Sequence, residues 1–336
     1  MQHTLEKPSA GPQRFMEVMF GTRQPYAVRS ALELDFFTAI ADGHRTAEAI
    51  ANSRGCAVRG ARILCDFLTV IGFLEKRDGE YSLTPESATF LNRKSPAYLG
   101  DSVQFYLSPQ HLADFDRLTE SVRNGGSRGQ AINDPSLWVR FARGIAPLSV
   151  PVAKALAERL RIAQRSSPRA LDIAASHGEY GIAMLRANPN ATLVAIDFAE
   201  VLEVARERAT AAGVADRVAF LPGDAFELDF QGPYDVIVFP NFLHHFDRAT
   251  NERFLKKVRS ALAPEGQAAT VDFVPNEDRV TPPPAAAFAL QMLSATAAGD
   301  AYTARELQEM FHAAGFASVH VEAQPPGPYS LVIAGS

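Results

Sequence analysis

Residues 171–181 read LDIAASHGEYG. An apolar run carrying Asp172 gives way to a turn that holds Ser176, Gly178 and Gly181. Apolar residues in a short unbroken run suit a strand buried on both faces. Small residues and glycines directly after such a strand let the backbone turn sharply into a helix. This strand–turn–helix element is where doubly wound α/β sheets bind nucleotide-like ligands, so the stretch predicts an α/β fold and places its candidate site at this turn.

Downstream, the texture alternates. Strands are read at 170–174, 192–196, 218–221, 235–239, 268–273, 318–322 and 330–334. Helices are read at 180–188, 199–212, 251–262, 284–298 and 303–314. Alternation of this kind predicts a mostly parallel, seven-stranded sheet covered on both faces. The last two strands are joined only by AQPPGP, too short for a crossover helix, so that pair is expected to be antiparallel.

Upstream, residues 14–41 carry apolar positions at helical spacing. Helices at 46–52 and 58–71 precede strands at 73–76 and 80–83, which pair across the turn signal Asp78-Gly79. Two helices and a β-wing predict a winged helix, a shape usually associated with DNA. Residues 42–94, however, hold eight Lys/Arg against seven Asp/Glu, and the second helix offers only Arg59 and Arg62 to a groove. A structural or dimer-forming use is therefore expected, with no nucleic-acid partner. Residues 96–165 read as helical, interrupted by the polar loop 123–130 and by Asp134-Pro135. The expected division is 1–100, a winged-helix domain; 101–165, a helical linker that helps form a substrate pocket; and 166–336, a ligand-binding α/β domain.

Bulk properties agree. The chain has 336 residues, 47% of them apolar and 21% charged, with a net charge of −5, so no phosphate-tracking surface is indicated. Cys56 and Cys65 read as small core residues in a reducing compartment. The polar start lacks the apolar core of a signal peptide, and no apolar run approaches the ~20 residues a membrane span needs. A cytoplasmic protein without membrane contact is expected.

The turn alone admits two ligands. As S-x-G-x-x-G (176, 178, 181) it is an NAD fingerprint lacking its first glycine. As D-x-A-x-S-x-G (172, 174, 176, 178) it is an S-adenosylmethionine loop with Ala174 and Ser176 in two glycine positions. The next strand ends in Asp197, placed to accept both hydroxyls of a ribose. The third runs into Gly223-Asp224-Ala225-Phe226, where a carboxylate and an aromatic ring suit an adenine. Any one of these acids could be an ordinary turn or N-cap residue. Three of them at successive strand ends favour a nucleoside-bearing cofactor.

In order, LDIAASHG, AIDF, GDAF, NFLHHFD and LAPEGQAATVDF resemble class I S-adenosylmethionine-dependent methyltransferases. More narrowly, they are similar to the O-methyltransferases of plant phenolic metabolism and their bacterial relatives, which also carry an N-terminal winged-helix dimerisation domain. The resemblance implies S-adenosylmethionine as cofactor and a homodimer formed through the N-terminal domain. It places Ser176, His177 and Gly178 at the methionine end, Asp197 and Phe198 at the ribose and adenine, Asp224, Ala225 and Phe226 around the adenine, and Asn241 near the cofactor. His244 in NFLHHFD would be the general base and Asp272 the acid that orients it. His245 stands where the family has an Asp and is expected to line the pocket. FARGI (141–145) resembles the family's acceptor-site stretch, which implies Phe141, Ile145 and Leu148 as substrate-binding, with Met292 and Thr296 opposite. The family's second acid would fall at Ala301, next to Asp300, so the base-and-two-acids set is incomplete.

The chemistry explains why such a base is wanted. A phenol has pKa ~10 and an unperturbed imidazole ~6.5, so proton transfer ahead of attack is uphill by about 5 kcal/mol. A carboxylate that orients the imidazole and couples proton loss to bond formation reduces that cost. No His, Cys, Asp or Glu set has metal-ligand spacing, and no metal is expected. An aromatic or polyketide-like acceptor is expected, methylated at a hydroxyl. The other readings are carbon or nitrogen methylation or non-methylating chemistry on the same cofactor, an NAD-dependent oxidoreductase, and a metabolite-sensing DNA-binding regulator.

Overall fold

The computed structural model describes residues 11–128, 134–324 and 327–335. Two compact units divide it, one ending at Val103 and the other beginning at Gln104. The helical stretch after residue 103 thus belongs with the sheet.

In the first unit the stretch of helical spacing over 14–41 forms three helices, Gln13–Gly21, Arg23–Glu33 and Phe36–Ala41, with Asp35 at φ 53° before the last. Helices Ala47–Arg54 and Val58–Val70 follow. The hairpin of β1 (Leu74–Arg77) and β2 (Glu80–Leu83) turns at Asp78-Gly79, both at positive φ. Their core holds Phe36, Phe37, Ile50, Leu68 and Tyr81. The helix Gln13–Gly21 buries no residue, and Phe15, Val18 and Phe20 are all more than half exposed.

The second unit contains β3 (Arg169–Ile173), β4 (Thr192–Asp197), β5 (Val218–Pro222), β6 (Tyr234–Val238), β7 (Leu262–Phe273), β8 (Ser318–Ala323) and β9 (Tyr329–Gly335). Their order is β5-β4-β3-β6-β7-β9-β8. Every pair is parallel except β7 with β9 and β8 with β9. Chain order reverses between β3 and β6, so the loops leaving these strands flank the crevice where such sheets bind ligands. The helix read at 251–262 runs Arg248–Ser260, because the Asp247 carboxylate accepts from Thr250 N and caps it three residues earlier. Strand β7 begins at Leu262, six residues before the expected start, with a register irregularity opposite Tyr234 and Val236. Among the described residues no helix is long and apolar enough to cross a membrane.

Candidate active site

The turn after β3 is built against the usual backbone preference. Ala174 and Ser176 both adopt left-handed φ, 53° and 52°, as does Gly178 at 75°. These are the positions where two glycines are absent, and a left-handed non-glycine residue costs about 1–2 kcal/mol. The conformation is held by hydrogen bonds. Ala175 N donates to Ile196 O at 3.0 Å, and Gly178 N donates to Ala175 O at 2.7 Å. Ser176 N donates to Asp197 Oδ2 at 2.8 Å. Asp197 therefore latches the loop as well as facing the crevice, its other oxygen accepting from Phe198 N at 2.7 Å. Burial pushes its carboxyl up to about 6.

Asp172 does not reach the crevice. It is fully buried within β3, accepts from Gly181 N at 3.1 Å, and is held well above the usual carboxylate range by burial. A Cβ at Gly181 would lie 2.2 Å from Leu193 Cδ2, so that side chain would have to shift to admit one. Gly178 faces Ala205 rather than the crevice, so its part is to turn the backbone.

A first cavity is lined by Ser176, His177, Asp197, Phe198, Asp224, Ala225, Phe226 and Asn241, the expected cofactor residues apart from Gly178. His177 is buried, accepts from Glu179 N through Nδ1 at 3.1 Å, and is pulled down to about 3 by burial, which keeps it neutral. At one end of this cavity Phe226 packs on Phe242 and Phe246 with centroids 5.9 and 4.9 Å away. Lys257 fixes this corner by donating to Ala225 O and Phe226 O at 3.0 and 2.8 Å. Two buried oxygens on the cavity wall, Ser176 Oγ and Asn241 Oδ1, have no hydrogen-bond partner among the described residues. Each such atom costs about 1–3 kcal/mol unless a ligand satisfies it. A polar nucleoside with an amino-acid tail fits this donor and acceptor set.

A second cavity of about 320 Å³ adjoins the first, sharing Trp138, Phe141, Asn241 and His245 as walls. His244 lies on it, in the turn Leu243–His245 that follows β6. Its Nδ1 is 2.6 Å from Asp272 Oδ1 near the end of β7, and both residues are buried. Phe273 N donates to the same carboxylate oxygen at 2.8 Å. A carboxylate at Nδ1 sets the tautomer, with the proton on Nδ1 and the lone pair on Nε2. His245 packs on His244 with ring centroids 4.3 Å apart, and burial with that neighbour holds it well below the ordinary imidazole range, hence neutral.

Phe141 and Ile145, one turn apart on the helix Pro135–Arg159, line the second cavity together with Met292 and Thr296. Leu148 does not. At 1.5 Å per residue it sits about 10 Å along the axis from Phe141, past the cavity, and its side chain is 39% exposed. Asp300 is not a second acid here, since it pairs with Arg279 and accepts from Ala301 N. Ala301 is buried off the cavity, and Gly299 packs against the turn Leu243–His245, where a Cβ would lie 2.2 Å from His244 O. Sequence reading missed Trp138, Tyr180, Phe288, Tyr329, His111 and Asp114 as lining residues. Of these, His111 and Asp114 carried a usable signal, an i, i+3 polar pair on one face of a helix opened by Ser108-Pro109.

Comparison with known proteins agrees with this geometry. Residues 129–317 match the O-methyltransferase domain family and residues 16–93 the O-methyltransferase dimerisation domain. A solved structure from Nostoc punctiforme, assigned to the O-methyltransferases, is 41% identical, covers 98% of this chain and 100% of its own, and superposes with a TM-score of 0.93. The 3-hydroxy-5-methyl-1-naphthoate 3-O-methyltransferase of Streptomyces sahachiroi is 27% identical over 96% of this chain and 94% of its own. The S-adenosyl-L-methionine-dependent methyl transferase PigF of Serratia is 25% identical over 94% and 93%. With a match over more than half its length, two adjoining cavities and a His–Asp pair between them, this chain belongs to the O-methyltransferase family and uses S-adenosylmethionine as its methyl donor.

Proposed function

We propose that the enzyme methylates a hydroxyl of an aromatic or polyketide-like small molecule, with His244 as general base and Asp272 as its orienting partner. The observation that carries this reading is the 2.6 Å contact between His244 Nδ1 and Asp272 Oδ1 on the wall of an aromatic-lined cavity. S-adenosylmethionine, when bound, supplies an electrophilic methyl group on a sulfonium. Ser176, Asp197, Asp224 and Asn241, on the wall of the first cavity, would hold its polar groups, and Phe226 with its aromatic neighbours would pack the adenine. His244 Nε2, left free by the Asp272 bond, takes the hydroxyl proton as the oxygen attacks. Asp272 keeps the ring in that tautomer and offsets the charge it gains. Phe288, packed edge-on to His244 at 4.8 Å and stacked on Phe273 at 3.9 Å, gives a flat acceptor an apolar floor that excludes water.

The test is kinetic. His244→Gln should lower kcat about 10²–10⁴-fold, and Asp272→Asn less, while the affinity for S-adenosylhomocysteine stays within about twofold of wild type. Acceptors of lower phenol pKa should suffer less from His244→Gln, because they need less help losing the proton. A His244→Gln enzyme that keeps wild-type kcat on weakly acidic phenols would remove His244 from the chemistry.

We further infer a homodimer in which a second copy covers the exposed apolar face of the helix Gln13–Gly21. The dimerisation-domain match over residues 16–93 supports it.

A further inference from the structure

The wall of the second cavity is a belt of rings. His244 meets His245 at 4.3 Å, His245 meets Trp138 at 5.3 Å, and Trp138 meets Phe141 at 5.9 Å. Phe141 meets Phe105 at 5.0 Å, and Phe105 meets His111 at 5.4 Å. Four rings thus separate His111 from His244 along the belt. One helical turn beyond His111, on the same face of the helix Pro109–Asp116, stands Asp114, which also lines the cavity. The proton-accepting end of the cavity is therefore not its only polar end.

Asp114 is an unusual residue for an aromatic wall. It is only 3% exposed, and burial raises its carboxyl above the ordinary carboxylate range. Its Oδ1 accepts from Gln110 Nε2 at 3.0 Å and from Arg117 Nη2 at 3.1 Å. Both bonds fall on Oδ1; Oδ2 accepts none from the described residues and is not a fully enclosed atom, on a residue that lines the cavity. Tying Gln110 and Arg117 together uses one oxygen and accounts for nothing at the other. The Arg117 guanidinium also matters for what Oδ2 can take. It already balances the carboxylate charge, so a cation is not required, and a neutral N–H or O–H donor completes the site.

We propose that Asp114, with His111 beside it, is a specificity-determining anchor that receives a neutral hydrogen-bond donor, a second hydroxyl or an aromatic amine, on the part of the acceptor remote from the methylated oxygen. This deepens the reading of the cavity as the acceptor site and rests on it. The acceptor class becomes a ring system with two separated donors, one presented to His244 and one to Asp114.

The experiment uses the full-length protein saturated with S-adenosylhomocysteine and a matched pair of probes, 2-naphthol and 2,7-dihydroxynaphthalene. Calorimetry gives their affinities for wild type, Asp114→Ala and Asp114→Asn, and initial rates with S-adenosylmethionine give kcat/KM. The wild type is expected to favour the dihydroxy probe about tenfold or more, as for a hydrogen bond to a charged acceptor. Asp114→Ala brings that ratio near one while leaving 2-naphthol within about twofold. Asp114→Asn keeps an oxygen for Gln110 and Arg117 and turns its NH2 to the cavity, so it should disfavour the dihydroxy probe and favour a probe with a carbonyl at that position. If Asp114→Ala does not fold, Asp114→Asn decides. Equal losses for both probes, or no discrimination by the wild type, overturn the proposal. Discrimination in binding without methyl transfer would uphold the anchor and count against His244 chemistry instead, so the two readings fail separately.

Discussion

Replacing Ala174 and Ser176 by glycine, one at a time, tests how the cofactor loop is held. Both residues sit at left-handed φ, 53° and 52°. Glycine removes a strain of about 1–2 kcal/mol but returns roughly 0.4–1 kcal/mol to the unfolded chain through its greater freedom. Ala174→Gly should therefore stabilise the ligand-free protein by about 0.5–1 kcal/mol, a rise of roughly 1–3 °C in the melting temperature for a unit of this size. Ser176→Gly does this and also deletes Oγ, a buried hydroxyl without a partner. Relief of that desolvation adds about 1–3 kcal/mol, so its stabilisation should be at least twice as large. If Oγ is unpaired because the cofactor is its partner, the same change also loses one hydrogen bond in the complex, about 0.5–1.5 kcal/mol, which together with the gain of about 1–3 kcal/mol in the free protein weakens binding about tenfold or more. The two variants should thus diverge, with Ala174→Gly more stable at unchanged affinity and Ser176→Gly more stable still but a poorer binder. Thermal unfolding of the ligand-free protein and calorimetric titration with S-adenosylhomocysteine measure both quantities. An Ala174→Gly protein that melts lower than wild type, or a Ser176→Gly protein that binds as tightly, would refute the reasoning.

Asp197 gives a pH signature. With its carboxyl near 6 in the free protein, ribose hydroxyls find an ionised acceptor above that pH and a protonated one below it. S-adenosylhomocysteine affinity should be flat above about pH 7 and weaken below pH 6 by up to about tenfold per unit, whereas Asp197→Asn should bind weakly with no such step. The raised carboxyl also lowers the stability of the ligand-free protein at neutral pH, a penalty that fades as pH falls through 6. For the dimer, Phe15→Glu combined with Phe20→Glu should give a monomer in sedimentation velocity, and an unchanged dimer would rule out that helix as the contact.

The sheet was legible because its signals are local. Buried parallel strands write themselves as short apolar runs, and the three strand-end acids marked which loops face the crevice. Even so, Asp172 belongs to the series only by position. Its backbone site alternates with Leu171 and Ile173 inside β3, so the side chain lies under the loop while Asp197, the last residue of β4, and Asp224, two residues past β5, reach the cavity. Sequence spacing cannot separate an acid one residue inside a strand from one at or just past its end.

The acceptor cavity was legible only in part, for a different physical reason. Its walls come from helices far apart in the chain, Pro109–Asp116, Pro135–Arg159 and Pro283–Ala295, and each helix writes one apolar stripe whether it faces the sheet or a ligand. Phe141, Ile145 and Leu148 were implied by the resemblance of FARGI to the family's acceptor-site stretch, and the cavity holds the first two but ends before Leu148. A polar residue on such a stripe is more telling. Asp114 is the buried residue of its helix, and a carboxylate held at a cavity wall with Oδ2 accepting no protein hydrogen bond is a cost that packing alone does not recover. An acceptor that brings its own donor to Asp114 Oδ2 removes that cost. The same argument applies at the other cavity to Ser176 Oγ and Asn241 Oδ1. In both halves of the site, the proposed polar contacts of the two ligands fall on cavity-wall oxygens that the protein leaves without a partner.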